Sequence, residues 1–186
     1  MKSGKNCVKH SKAAVRVAFL SGIAALAIQV PPASAADYGV GAFHQGNGNT
    51  VLLPIKLDTL LVEPEVSLSK ITGDSSSTSV GLSAGIYGRK DLGPLFEGYV
   101  GGRVGLSHFK SHSNFGGFPT DNKNDSWLIG PVAGVQHYFS KGFSIGLDVG
   151  LIYTHSKITS SSAGIETTQN NNGVNTQTRI LLRAYF

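Results

Sequence analysis

The chain has 186 residues, 40% of them hydrophobic, with 24 glycines, one cysteine and a formal net charge of +5 at pH 7. Its length bounds it to one domain plus any processed segment, and its lone Cys7 leaves nothing for a disulfide framework or a cysteine-based metal site. Five of the sixteen basic residues precede Ala35 and the other eleven match the eleven acids that follow it, so the positive charge belongs to the leading segment and says nothing for nucleic acid, which is not an expected partner.

Residues 1–35 have the three parts of a secretory signal peptide: a basic start (Lys2, Lys5, Lys9, Lys12, Arg16), an apolar stretch over 17–30, and Ala33-Ser34-Ala35 as a small-residue cleavage site. The apolar stretch is short of the roughly 20 residues that span a bilayer as a helix. The mature domain is therefore expected over 36–186.

That domain shows period-two alternation broken by polar turns, the pattern of strands. Short strands are predicted over 38–45 and 50–57. In 60–70, Leu60, Val62, Val66 and Leu68 oppose Glu63, Glu65, Ser67 and Ser69. In 78–89, Val80, Leu82, Ala84 and Ile86 oppose Ser79, Gly81, Ser83 and Tyr87. In 94–108, Phe96, Val100, Val104 and Leu106 oppose Glu97, Tyr99, Arg103 and Ser107. In 126–139, Trp127, Ile129, Val135 and Phe139 oppose Gly130, Gly134, Gln136 and Tyr138. The clearest case is 142–156, where Phe143, Ile145, Leu147, Val149, Leu151 and Tyr153 oppose Ser144, Gly146, Asp148, Gly150 and Thr154, with Ile152 out of phase. The stretch from Phe143 to Tyr153 matches the roughly 9 to 11 residues of a tilted membrane strand. A final strand over 175–186 makes eight.

The joints alternate. Those at 57–59, 90–93 and Ser140-Lys141 are tight, whereas 109–125 and 157–174 read as long Ser, Thr and Asn loops. Short turns on one side, longer loops on the other and an even strand count suit a bacterial outer-membrane barrel. A soluble sandwich or lipocalin-like barrel would show the same alternation with its apolar face inward. Aromatics near the ends of the apolar faces (Phe96, Trp127, Phe139, Phe143, Tyr153), glycine on the opposite face and the terminal Phe186 favour lipid outside. The predicted fold is an all-β, eight-stranded antiparallel transmembrane up-and-down β-barrel.

The segments VEPEVSLSK (62–70), PVAGVQHYFSKGFSIGLDVGL (131–151) and the terminal strand resemble the small eight-stranded outer-membrane β-barrels of Gram-negative bacteria, the OmpA/OmpX-like porin-family domain. The resemblance covers the mature chain and implies an outer-membrane location. It also implies that Ile180, Leu182 and Phe186 form an assembly signal read by the barrel-insertion machinery. Ala184 stands where that family more often has an aromatic, and Gln136-His137 where relatives often carry Glu-Tyr. Fold does not imply function, and the family leaves the activity open.

With apolar faces on lipid, Lys56, Glu63, Glu65, Arg89, Glu97, Arg103, Asp148, Arg179 and Arg183 point into the lumen. An eight-stranded lumen is just wide enough for side chains and buried charges must pair, so a plug of ion pairs is expected, with Glu63, Glu65, Asp148 and Arg183 at similar depth. The alternative is a small charge-selective channel. A lipid A-modifying enzyme is a further alternative, prompted by SHSNF at 111–115, but adjacent His112 and Ser113 on a strand would face opposite ways. His44, His108, His137 and His155 are scattered, and no pair of them shows ligand spacing with a carboxylate. No cofactor is expected. The partners expected are outer-membrane lipid and lipopolysaccharide, the insertion machinery, and an extracellular ligand on loops 109–125 (Phe115, Phe118, Pro119) and 157–174, with a structural or adhesive role in the envelope.

Overall fold

The computed structural model describes residues 36–45, 48–73, 75–115, 118–162 and 164–186, apart from the side chains of Gln45, Phe115 and Phe118. The predicted signal peptide over 1–35 lies outside these residues. Among the described residues there are nine strands: β1 (Asp37–Gln45), β2 (Gly48–Leu52), β3 (Ile55–Lys56), β4 (Leu60–Ile71), β5 (Ser75–Gly93), β6 (Phe96–Phe115), β7 (Phe118–Ser140), β8 (Phe143–Ser162) and β9 (Ile165–Tyr185). All pair antiparallel. β2 and β3 share one position in the wall, between β1 and β4, so the ring has eight positions. It closes where Gly39 to Ala42 of β1 meet Tyr185 to Leu182 of β9. Closure removes the open sheet edge at that level.

The stretch expected as one strand over 50–57 is interrupted at Leu53-Pro54. Proline has no N–H to give a ladder, and the neighbours absorb the break: Gly39 N–H donates to the Pro54 carbonyl at 2.9 Å, and Leu53 N–H to the Pro64 carbonyl at 2.9 Å.

Along the lower part of each long strand the alternation is inverted relative to a soluble protein. On β8, Ser144, Gly146, Asp148, Gly150 and Ile152 are buried, while Phe143, Ile145, Leu147, Val149 and Leu151 are exposed. Leu82, Ile86, Val100, Leu106 and Ile180 continue the exposed band, with Leu106 and Ile180 each 67% exposed. Contiguous apolar area on this scale is not left facing water. At one rim Phe96 meets His137 at 4.6 Å, His137 meets Phe139 edge-on at 4.7 Å and Phe139 meets Phe143 at 6.0 Å, while at the other Trp127 meets Tyr153 at 5.4 Å. Ile152, out of phase in sequence terms, turns inward and packs with Leu61, Tyr87, Tyr99 and Val132.

The two segments expected as long loops are corrected by the structure. Over 109–125, β6 and β7 stay in register up to Phe115 opposite Phe118, and over 157–174 β8 and β9 stay in register up to Ser162 opposite Ile165. Both faces of these extensions meet water, so no apolar phase marks them as strands, and their Ser, Thr and Asn content reads as turn. The wall is tall on β5 to β9 and low on β1 to β4.

Candidate functional site

The lumen brings together charges far apart in sequence. Arg179, on the last strand, donates from Nε to Asp148 Oδ1 at 3.0 Å and from Nη2 to Asp148 Oδ2 at 2.6 Å, a two-pronged geometry that suits guanidinium and carboxylate. Its Nη1 donates to Glu65 at 2.6 Å, and its guanidinium carbon lies 4.7 Å from the centre of the Phe43 ring. Arg183 donates from Nε to Glu63 Oε2 at 2.7 Å and stacks on Tyr99 at 5.3 Å. Arg103 lies 4.0 Å from Glu65, which also accepts from the Ser83 hydroxyl at 2.7 Å, and Arg103 donates to Gln177. Three arginines thus face three carboxylates, and all six side chains are buried. Such a set is stable only when every charge has a partner.

Toward the end that carries both Asp37 and Phe186, a second group surrounds Glu97. Arg89 donates to it, Lys56 lies 3.9 Å away, and Tyr138 donates to it at 3.2 Å. Lys56 also sits over the rings of Tyr138 and Tyr185 at 4.7 and 4.8 Å, and Arg89 donates to the Leu57 carbonyl at 2.6 Å.

Gln136 joins the groups. Its Nε2 donates to Glu97 at 2.5 Å and to Tyr138 at 2.6 Å, and its Oε1 accepts from Arg183 at 3.2 Å, Ser144 at 3.2 Å and Tyr185 at 3.3 Å. Only a side chain that carries donors and an acceptor together can serve a carboxylate on one side and a guanidinium on the other. Two glycines make the room. A Cβ at Gly134 would overlap the Tyr99 ring, and one at Gly146 would stand 2.6 Å from Arg183 Nη1. The nine charges picked out by their phase therefore lie in one connected network with Gln136, Tyr99, Tyr138, Tyr185, Ser83 and Ser144. Those neutral members carry no charge signal, and only their place on the polar face marks them.

On the outside, Phe96, Phe139 and Phe143 stand at one rim and Trp127 and Tyr153 at the other. Ile180 and Leu182 belong to the apolar band, and Phe186 is 84% exposed while its N–H donates to the Tyr38 carbonyl at 2.9 Å. SHSNF lies on β6 rather than in a loop, and Nδ1 of His112 is 2.7 Å from Asp121, a cross-strand partner. His108 has a similar partner, with Nδ1 2.5 Å from Asp125. These carboxylate partners lie on β7, 17 and 9 residues further on, and only the hairpin register reveals them. Among the described residues no three His, Cys, Asp or Glu side chains converge as a metal site.

No protein-family model and no curated protein matches the sequence. Among solved structures, a major outer membrane protein from Thermus thermophilus is 14% identical with a TM-score of 0.59, over 82% of this chain and all of that one. Neisserial surface protein A is 14% identical with a TM-score of 0.43, over 81% of this chain and 94% of that one. Ail, the attachment invasion locus protein of Yersinia pestis, is 15% identical with a TM-score of 0.36, over 81% and 93%. With the Thermus protein the likeness is one of fold, and the chain is an eight-position antiparallel β-barrel of the outer-membrane type.

Proposed function

We propose that this chain is exported through its first 35 residues, is inserted in the outer membrane with Ile180, Leu182 and Phe186 as the assembly signal, and acts there as a non-conducting, non-catalytic surface protein. The tall wall of β5 to β9 is its contact surface for envelope or extracellular partners. The observation that carries the reading is the inversion: paired charges fill the inside, and an apolar band bounded by aromatics covers the outside. A barrel of eight strands leaves no aqueous lumen once its side chains are in place, which argues against the channel. His112 and Ser113 project to opposite faces of β6, which argues against hydrolysis through them.

Two measurements test this. The protein should fractionate with outer membranes and migrate differently on gels before and after heating. Purified into planar bilayers it should give no large, stable conductance. A soluble periplasmic location, or steady open channels, would overturn the proposal.

A further inference from the structure

The outer faces of β5 to β8 just above the apolar band hold charges that the barrel leaves without partners. Lys110 on β6 and Lys123 on β7 are direct cross-strand partners, and both are exposed. Like charges placed opposite one another destabilise a ladder. On the next strand Lys157 lies directly across from Asp125, and diagonally from Lys123, which pairs with Thr159. Yet Asp125 is taken by His108 at 2.5 Å and Asp121 by His112 at 2.7 Å. Among the described residues no carboxylate comes within ion-pair range of Lys110, Lys123 or Lys157. Three ammonium groups on three adjacent strands therefore stand without an ion pair of their own, beside carboxylates already engaged by His108 and His112.

Beside them is a groove of about 570 Å³ whose apolar floor is formed by Val80, Leu82, Leu106 and Trp127, with Lys157, His108 and Asp125 also in its lining. The Trp127 ring is held between Tyr153 at 5.4 Å and His155 at 5.7 Å. Cations beside apolar surface, meeting at an aromatic rim, match an amphiphile with an anionic head and acyl chains. Aromatic rings of this kind sit at headgroup level, and each lysine near such a surface adds attraction for anionic lipid.

We propose that this face is a binding site for a phosphorylated, acyl-bearing lipid of the outer leaflet, its phosphate on Lys110, Lys123 and Lys157 and its chains on Val80, Leu82, Leu106 and Trp127. The proposal rests on the membrane placement proposed above. The phosphate supplies the charge that the opposed lysines lack, so one bound lipid relieves the repulsion across β6 and β7.

The test uses the full mature chain in non-ionic detergent micelles, with diphosphoryl lipid A and its dephosphorylated form as probes. Trp127, the sole tryptophan, reports binding through its emission. Diphosphoryl lipid A is expected to bind at least tenfold more tightly than the dephosphorylated form. The triple variant Lys110→Gln, Lys123→Gln, Lys157→Gln should lose that preference, whereas Lys90→Gln with Lys141→Gln, near the opposite rim, should keep it. Gel migration before and after heating checks that each variant is folded. Equal affinity for the two probes, or an unchanged preference in the folded triple variant, would overturn the site. Inorganic phosphate that competes fully with lipid A at equal concentration would overturn it too, because the groove would then contribute nothing. A soluble, non-heat-modifiable protein would instead overturn the membrane placement.

Discussion

Arg179→Met removes the centre of the lumen network while keeping much of the side chain's bulk. In the wild type this guanidinium is, among the described residues, the only cation bonded to Asp148 and the nearer of two cations at Glu65, where Arg103 is 4.0 Å away against 2.6 Å for Arg179. The variant leaves three carboxylates facing two arginines in a closed interior. Breaking a buried pair by deleting one partner costs about 3 to 5 kcal/mol, roughly two to nearly four powers of ten in the folding equilibrium. Urea unfolding of the protein in phosphocholine vesicles, followed through Trp127 emission and gel migration, measures it. The compensating variant Arg179→Met with Asp148→Leu removes the orphaned carboxylate as well and should regain most of the loss, since apolar replacement of a whole buried pair is close to neutral. A cost under about 1 kcal/mol for the single variant, below the range for a broken buried pair, would refute the reasoning. So would a double variant no more stable than the single one.

Trypsin added to intact cells should leave the chain uncut at Lys110, Lys123 and Lys157, because all three sit in paired strands rather than in loops; mass spectrometry of released peptides checks this, and rapid cleavage there would contradict the ladder register. Gly134→Val should push Tyr99 off its seat against Arg183 and Tyr87 and lower stability by about 1 to 3 kcal/mol, the usual cost of overpacking, as read in the same urea assay. Deleting Phe186 should slow insertion measured in pulse-labelled cells while leaving the stability of the inserted fraction nearly unchanged, since its side chain is exposed and only its N–H bonds to the wall.

Fold class is legible in residues such as Phe143 to Leu151, where two unlike environments impose a strict period of two. The same rule fails above Trp127, where water lies on both sides and Ser, Thr, Asn and Lys alternate without a hydropathic phase. It also fails at Ile152, whose inward turn follows from the cluster around Tyr87 and Tyr99, and at Pro54, where a missing N–H divides a strand. Of the lumen network, the charged positions can be picked out by phase. Which of them meet cannot: Glu63 and Arg183 are 120 residues apart, Glu65 and Arg179 114 apart, and only ring closure joins them. Gln136 is the least legible, because an uncharged amide on a polar face looks like filler until its five partners are in place.

The unequal wall gives the molecule a front and a back. On β7 the stretch from Trp127 to Phe139 accounts for the apolar band, and the nine residues from Phe118 to Ser126 continue beyond it. At about 3.3 Å per residue and a tilt near 40°, they add about 23 Å of height. β1, from Asp37 to Gln45, is nine residues in all, fewer than the thirteen from Trp127 to Phe139. The outer opening is therefore slanted like a lectern. A molecule arriving over the β1 to β4 side reaches the membrane plane with an upright, hydrogen-bonded screen behind it, whereas one arriving from the β7 side meets the screen first.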